Sequence, residues 1–252
     1  PDDPKARYRL AEHLLMMGDT SRGWPLYESR RDLKENPPFA YQHAWDGKGN
    51  KVNLLVWAEQ GLGDQIMFTR MLPCVMERVL PAGGTVAVAV NERLRDLYAR
   101  GFPELECLPM TADLQTSKFS HQVSIASLPY LLDYGYPEIQ GAPFRPLRAD
   151  AHKVLELRHR LFRQGKKLCG LSWGSKAVRT GGKRSLMLEN LIPLLSMSGF
   201  DFVDLQYLDS SEDRHRLATE HGLTVNKVDE IDNYNDMDGL AALMQACDLV
   251  IS

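Results

Sequence analysis

This sequence of 252 residues is poor in cysteine, has no long apolar run and carries no excess of positive charge. Its four cysteines, Cys74, Cys107, Cys169 and Cys247, form no Cys-x-x-Cys pair and have no histidine at metal-ligand spacing. That excludes a disulfide framework and a zinc site, and implies reduced, mostly buried thiols in a cytoplasmic protein. No run of 18 apolar residues occurs, so no spanning helix is expected, and no signal peptide is recognisable. A net charge of -3 argues against nucleic-acid binding driven by bulk charge. The seven histidines include no His-x-x-x-His or His-Glu-x-x-His pair, so His121, His152, His159 and His215 read as surface or packing residues.

What is present is an ordinary globular composition, 44% hydrophobic and 25% charged, long enough for two modest domains. Residues 5–34 read as two helices broken at Gly18-Asp19, with Leu10, Leu14, Leu15, Trp24 and Tyr27 at near-helical spacing and Pro25 at the start of the second. Gly23-Trp24 followed by Tyr27-Glu28 and Arg30 resembles a terminal tetratricopeptide repeat, and one repeat cannot bury its own apolar face. Residues 36–52, with Trp45-Asp46-Gly47, read as a linker.

An α/β alternation follows. The pattern predicts strands at 53–58, 85–90, 104–108 and 121–125 and helices at 63–80, 91–100 and 127–133. After a Pro-rich connection at 134–150 and a charged helix at 151–164, it predicts strands at 167–173, 201–207, 223–228 and 248–252, with helices at 188–198, 211–221 and 237–247. Strands alternating with helices imply parallel sheets with right-handed crossovers. The expected fold class is therefore α/β, with Rossmann-like domains over 53–150 and 151–252 facing across a cleft. The chain begins at Pro1 without methionine and stops at Asp248–Ser252, a strand without its next helix, so it reads as a piece of a longer protein.

Two loops carry candidate chemistry. In Gln60-Gly61-Leu62-Gly63-Asp64, glycine lets the backbone turn and approach a ligand, and a helix start offers free N–H groups. Asp64 either caps that helix or accepts a proton from a hydroxyl nucleophile. Gly61 and Gly63 have Met67 rather than a third glycine nearby, so a dinucleotide fingerprint is poorly supported. The second loop runs from Trp173-Gly174-Ser175-Lys176 to Lys183-Arg184-Ser185, with four cations between Lys176 and Arg184 and no carboxylate. It is either a solvated basic loop or a diphosphate site built from backbone N–H groups and cationic side chains. Arg184 follows Lys183 where a P-loop has Ser or Thr. Gln206, in Leu205-Gln206-Tyr207 with Asp209 nearby, is a third candidate, for the wall of the same cleft.

The order Gly23-Trp24, Tyr27-Glu28, Trp45-Asp46-Gly47, Glu59-Gln60-Gly61-Leu62-Gly63-Asp64, Gly170-Leu171-Ser172-Trp173-Gly174, Arg184-Ser185 and Leu205-Gln206 resembles bacterial tetratricopeptide proteins with a heptosyltransferase-like glycosyltransferase domain. The resemblance implies a GT-B fold, a nucleotide-diphosphate sugar held by the second domain, and an acceptor held by the first. It implies inverting transfer without a metal or other cofactor, with Asp64 as base, Gln60, Gly61 and Gly63 on the acceptor side, and Lys183 or Arg184 on the departing phosphate. The acceptor is left open among glycan, lipid-linked and protein, and the repeats imply a protein partner. The family's strand corresponding to 248–252 is followed by an Asp-Thr loop and a His-containing helix that this sequence lacks, which implies weak donor binding or inactivity of this piece alone. A non-catalytic scaffold is the alternative. A nicotinamide enzyme or epimerase ranks last, with neither a third glycine nor a Tyr-x-x-x-Lys pair beside a strand.

Overall fold

The structure, a computed structural model, describes residues 3–33, 43–111, 114, 116–133, 145–175 and 185–252. It divides into two compact units, Pro1–Leu147 and Arg148–Ser252. The first unit opens with two packed helices, α1 (Pro4–Met16) and α2 (Thr20–Tyr27), followed by a 3-10 segment, Glu28–Leu33. Asp3 and Asp19 cap them: Asp3 accepts from the N–H groups of Lys5 and Ala6, and Asp19 from that of Arg22. The cap at Asp19 starts α2 earlier than the sequence suggests, so Pro25 lies inside the helix instead of in its first turn. The α-helix gives way to the 3-10 turn two residues later.

The first sheet contains β1 (His43–Ala44), β2 (Asn53–Trp57), β3 (Thr85–Val90), β4 (Glu106–Pro109) and β5 (His121–Ser124), in the order β1-β5-β2-β3-β4. Every pairing is parallel. Leu54 to Trp57 and Val86 to Val90 are buried without alternation, as expected of parallel strands covered on both faces. One face gathers Leu55, Trp57, Ala87, Ala89 and Phe119. β1 arises inside the stretch expected to be linker. Trp45 anchors it: the indole is 3% exposed, its main-chain N–H donates to Gln122 O at 3.0 Å, and its Nε1 donates to Lys48 O at 3.0 Å. Gly47 then turns with φ of 81°, its missing Cβ avoiding Leu131 O.

The helices of this unit are shorter than their periodicity predicts, and proline is the main reason. The expected helix at 63–80 is α3 (Leu62–Phe68), a 3-10 turn at Thr69–Met71, and α4 (Leu72–Val79). Pro73 sits in the first turn of α4, where its missing N–H costs nothing; inside one continuous helix its ring would strike the carbonyl of Thr69. Likewise 91–100 becomes a 3-10 turn plus α5 (Arg95–Gly101), and 127–133 becomes a 3-10 turn plus α6 (Leu128–Leu131), with Pro129 at its start.

The second unit has a sheet of order β8-β7-β6-β9, again all parallel: β6 (Lys167–Leu171), β7 (Phe200–Asp204), β8 (Val225–Asn226) and β9 (Leu249–Ile251). Alternate residues face opposite layers. Leu168, Val203 and Leu205 join Leu157 of α7 (Ala151–Leu161) and Ala242, Leu243 and Ala246 of α10 (Met237–Ala246). Cys169, Leu171 and Phe202 join Leu195 of α8 (Ile192–Leu195) and Leu217 of α9 (Ser211–His221). This is the covered parallel sheet of a Rossmann-like α/β unit, each fully buried leucine being worth about 1.5–3 kcal/mol against exposure. All four cysteines are unpaired; only Cys169 is fully buried, fewer than expected. Among the described residues, no helix is long and apolar enough to cross a membrane.

Candidate functional site

In both sheets the chain steps outward through three strands and then returns to the far side of the first. In the first unit it goes from β2 through β3 to β4 and back to β5; in the second, from β6 through β7 to β8 and back to β9. The loops leaving the two central strands diverge there, and ligands of open α/β sheets bind in the crevice so formed. The loop after β2 is Ala58–Gly61, and the loop after β6 begins at Ser172.

In the first unit Asp64 lies in the first turn of α3, where its Oδ2 accepts from Gly61 N–H at 3.1 Å. The capping role is thus realised. Its Oδ1 has no hydrogen-bond partner among the described residues, and the side chain is half-buried. Gln60 is exposed and stands at φ of 66°, a left-handed conformation unusual for a non-glycine residue. Its Nε2 donates to Tyr27 Oη at 2.7 Å. Gly61 and Gly63 are exposed; a Cβ on Gly63 would meet nothing within 4 Å.

The crevice between the ends of β2 and β5 contains a group that sequence reasoning missed. Arg30, from the 3-10 segment after α2, is 3% exposed. Its Nε and Nη2 donate to the two oxygens of Glu59 at 3.3 and 3.0 Å. Nη1 donates to Glu28 Oε1 at 2.6 Å and to Tyr27 O at 3.2 Å, and Nη2 to Ser127 Oγ at 2.7 Å. Ser127 donates to Glu28 Oε2 at 2.9 Å, and Ser124 donates to Glu59 Oε2. The guanidinium also covers the Tyr27 ring at 4.7 Å. Burial works against the charge of Arg30, but Glu28 and Glu59 outweigh it and raise its pKa. Burial likewise pushes the Tyr27 hydroxyl up to about 12. The signal was present in the sequence: Glu59 directly follows an unbroken apolar run, and a carboxylate buried there requires a cation.

In the second unit Gln206 is 2% exposed and bound to the loop opposite. Its Oε1 accepts from Trp173 N–H at 2.9 Å, Gly174 N–H at 3.0 Å and Ser172 Oγ at 3.2 Å, and its Nε2 donates to Gly174 O at 2.7 Å. Trp173 is 7% exposed and packs in the core. Ser175 N–H donates to Ser185 Oγ at 2.9 Å, and Leu186 N–H to Trp173 O at 2.8 Å. The basic loop therefore leaves and returns through a pinned neck. Lys176, Lys183 and Arg184 lie outside the described residues.

Beneath the neck is a second polar cluster that the sequence did not single out. Asp204, fully buried, accepts from Gln206 N–H at 2.6 Å and from Ser210 Oγ, with Arg214 Nε at 3.3 Å and Lys227 Nζ at 3.8 Å. Asn233 donates from Nδ2 to Asp204 O at 3.1 Å and to Gln206 O at 3.2 Å. Asp209 accepts from Ser211 N–H at 3.0 Å at the start of α9, and that bond holds its carboxyl below the usual range. No cluster of metal-ligating side chains occurs among the described residues.

Against known proteins, the chain is 32% identical over 268 aligned positions to Protein FlbA of Caulobacter vibrioides (strain ATCC 19089 / CIP 103742 / CB 15). That alignment covers 97% of this chain and 44% of FlbA, so the chain spans less than half the length of that relative. No protein-family model and no solved structure matches it.

Proposed function

We propose that the chain carries the acceptor and donor halves of a GT-B-type glycosyltransferase, which moves a sugar from a nucleotide diphosphate to an acceptor hydroxyl with inversion and without a metal. The observation that carries the reading is the repeated strand order, with a glycine-containing loop leaving the central strand of each sheet beside its returning strand. Arg30 already fills the first crevice, which directs the nucleotide to the second. There the Gln206-held backbone at Trp173-Gly174, the Ser175–Ser185 neck and the cations Lys176, Lys183 and Arg184 would receive the diphosphate.

In this mechanism Asp64 Oδ1 takes the proton from the acceptor hydroxyl while Oδ2 stays on Gly61 N–H. The acceptor oxygen forms its bond to the anomeric carbon on the face opposite the diphosphate. The bond to the leaving phosphate oxygen breaks, and the basic loop neutralises the charge that develops there. One displacement inverts the centre. The helical pair α1–α2 would be a tetratricopeptide-like element offering a surface to a protein partner, in a cytoplasmic enzyme whose acceptor is a glycan, a lipid-linked glycan or a protein.

A second reading is a non-catalytic α/β module joined to helical repeats, favoured by the cap that already engages Asp64. Calorimetric titration with UDP, ADP, GDP and dTDP separates the two. The transferase reading expects one nucleotide to bind, with a loss of about 1.5–3 kcal/mol in Arg184→Ala, the scale of a charge-assisted contact. It also expects Asp64→Asn to abolish transfer without unfolding the chain. Absence of binding by all four nucleotides in the full-length protein, or retained transfer by its Asp64→Asn variant, overturns it.

A further inference from the structure

The loop that leads to Asp64 is held at three consecutive residues, and two of the three holders come from α2 and the 3-10 segment after it. Arg30 grips the Glu59 carboxylate at 3.3 and 3.0 Å, Tyr27 accepts from the Gln60 amide at 2.7 Å, and Asp64 itself accepts from Gly61 N–H at 3.1 Å. The middle residue is the strained one. A non-glycine backbone at φ of 66° persists only where its surroundings over-determine it. Its side chain is exposed, yet it reaches a buried phenol instead of water.

The phenol is itself fixed. Tyr8 packs on the Tyr27 ring with centroids 5.5 Å apart, Trp24 meets it edge-on at 5.6 Å, and the Arg30 guanidinium lies over it at 4.7 Å. A line of contact therefore runs from α1, through the Tyr8–Tyr27 rings, to the hydrogen bond at the backbone turn between β2 and α3. Trp24 continues the contact to Phe68 at the far end of α3, at 6.3 Å.

We infer that the helical pair positions the glycine loop, with Tyr27 and Arg30 setting the turn that presents Asp64 at the carboxyl edge of β2. This deepens the transferase reading and rests on it for the chemical role of Asp64. The physical claim about the loop stands on the contacts alone. It makes the helical pair one wall of the acceptor side. A shift of α1 against α2 would be felt at Gln60 before it reached any strand.

The test uses the whole chain with Tyr27→Phe and Gln60→Gly. Tyr27→Phe removes only the hydroxyl and keeps the packed ring. Gln60→Gly keeps the left-handed turn and removes the amide. Hydrogen exchange is followed at Gly61 and Gln65, whose N–H groups are hydrogen-bonded, and at the amides of β3, beside urea unfolding. The expected result in both variants is exchange at Gly61 and Gln65 accelerated by roughly tenfold, with β3 protection and the urea midpoint unchanged. Unchanged loop exchange in Tyr27→Phe overturns the inference, as does acceleration spread evenly over the unit, since that would mean general loosening. Asp64→Asn transfer is measured separately, so failure of the base assignment and failure of the positioning claim appear in different readouts.

Discussion

Arg30→Met tests the central feature of the first unit. Methionine keeps much of the length of the side chain and removes every donor. Glu59, with a side chain 2% exposed, then loses the two bonds that balance its charge, Ser127 loses its cationic donor, and Glu28 is left with Arg31 at 3.8 Å. Breaking a buried pair on one side costs about 3–5 kcal/mol, because the remaining charge stays buried without its counter-ion. For a unit of this size that corresponds to a fall in Tm of about 6–20 °C. It is also a large share of the 5–15 kcal/mol, or roughly that, which holds a typical domain folded. Glu59→Gln alone should cost less, about 1–3 kcal/mol, because Arg30 keeps Glu28 at 2.6 Å and the Tyr27 carbonyl. In the Arg30→Met background, Glu59→Gln should recover about 2 kcal/mol by removing the orphaned charge. The assay is urea unfolding of the four proteins by circular dichroism, fitted with one transition for each unit. A cost below about 1 kcal/mol for Arg30→Met, or no recovery in the double variant, would refute the argument, because electrostatic coupling could not then be what joins the helical pair to the sheet.

Two further outcomes follow from single residues. Asp248 accepts from Arg158 through both oxygens at 2.8 Å and from Leu168 N–H at 2.7 Å; Arg158 first, then Leu168, holds its carboxyl below the usual range. Its stabilisation is complete above the unfolded carboxylate value, about pH 4, and is lost as pH falls through the lower folded value. Asp248→Asn should cost about 1–2 kcal/mol at pH 7 and flatten the acid limb of the stability profile; an unchanged acid limb counts against it. Gly47→Ala should cost about 1–3 kcal/mol in urea unfolding, because φ is 81° and the added methyl carbon would stand 2.5 Å from Leu131 O. A neutral result would mean that the 45–47 turn can move.

Helix α9 shows what the sequence made legible. The expected 211–221 coincides with Ser211–His221, because Glu212 and Asp213 suit its first turn and Gly222, at φ of 65°, ends it. The unbroken apolar runs of β2 and β3 announced buried parallel strands in the same way. The proline-interrupted helices were harder, since periodicity continues across Pro73 while the hydrogen-bond ladder does not. Strand β1 was invisible because two residues carry no pattern; its pairing with β5 and the buried Trp45 beside it define it. At the candidate site the glycine loop and Asp64 were readable from local order. Arg30, Ser124 and Ser127 were not, because Arg30 meets Glu59 from 29 positions away, Ser124 meets it from 65, and Ser127 meets Arg30 from 97. Gln206 was found as a strand-end polar residue, but its engagement with the backbone of Trp173 and Gly174 depends on register between β6 and β7.

The buried Arg30–Glu59 pair also constrains how such proteins can be recombined. A helical pair transplanted from a relative brings its own residue at position 30 into a crevice whose other half belongs to the recipient sheet. If one partner is charged and the other apolar, the chimera fails however well its helices pack. Positions 30 and 59 should therefore change together in divergent sequences, or not at all. A library that shuffles the two segments should return survivors only in matched combinations.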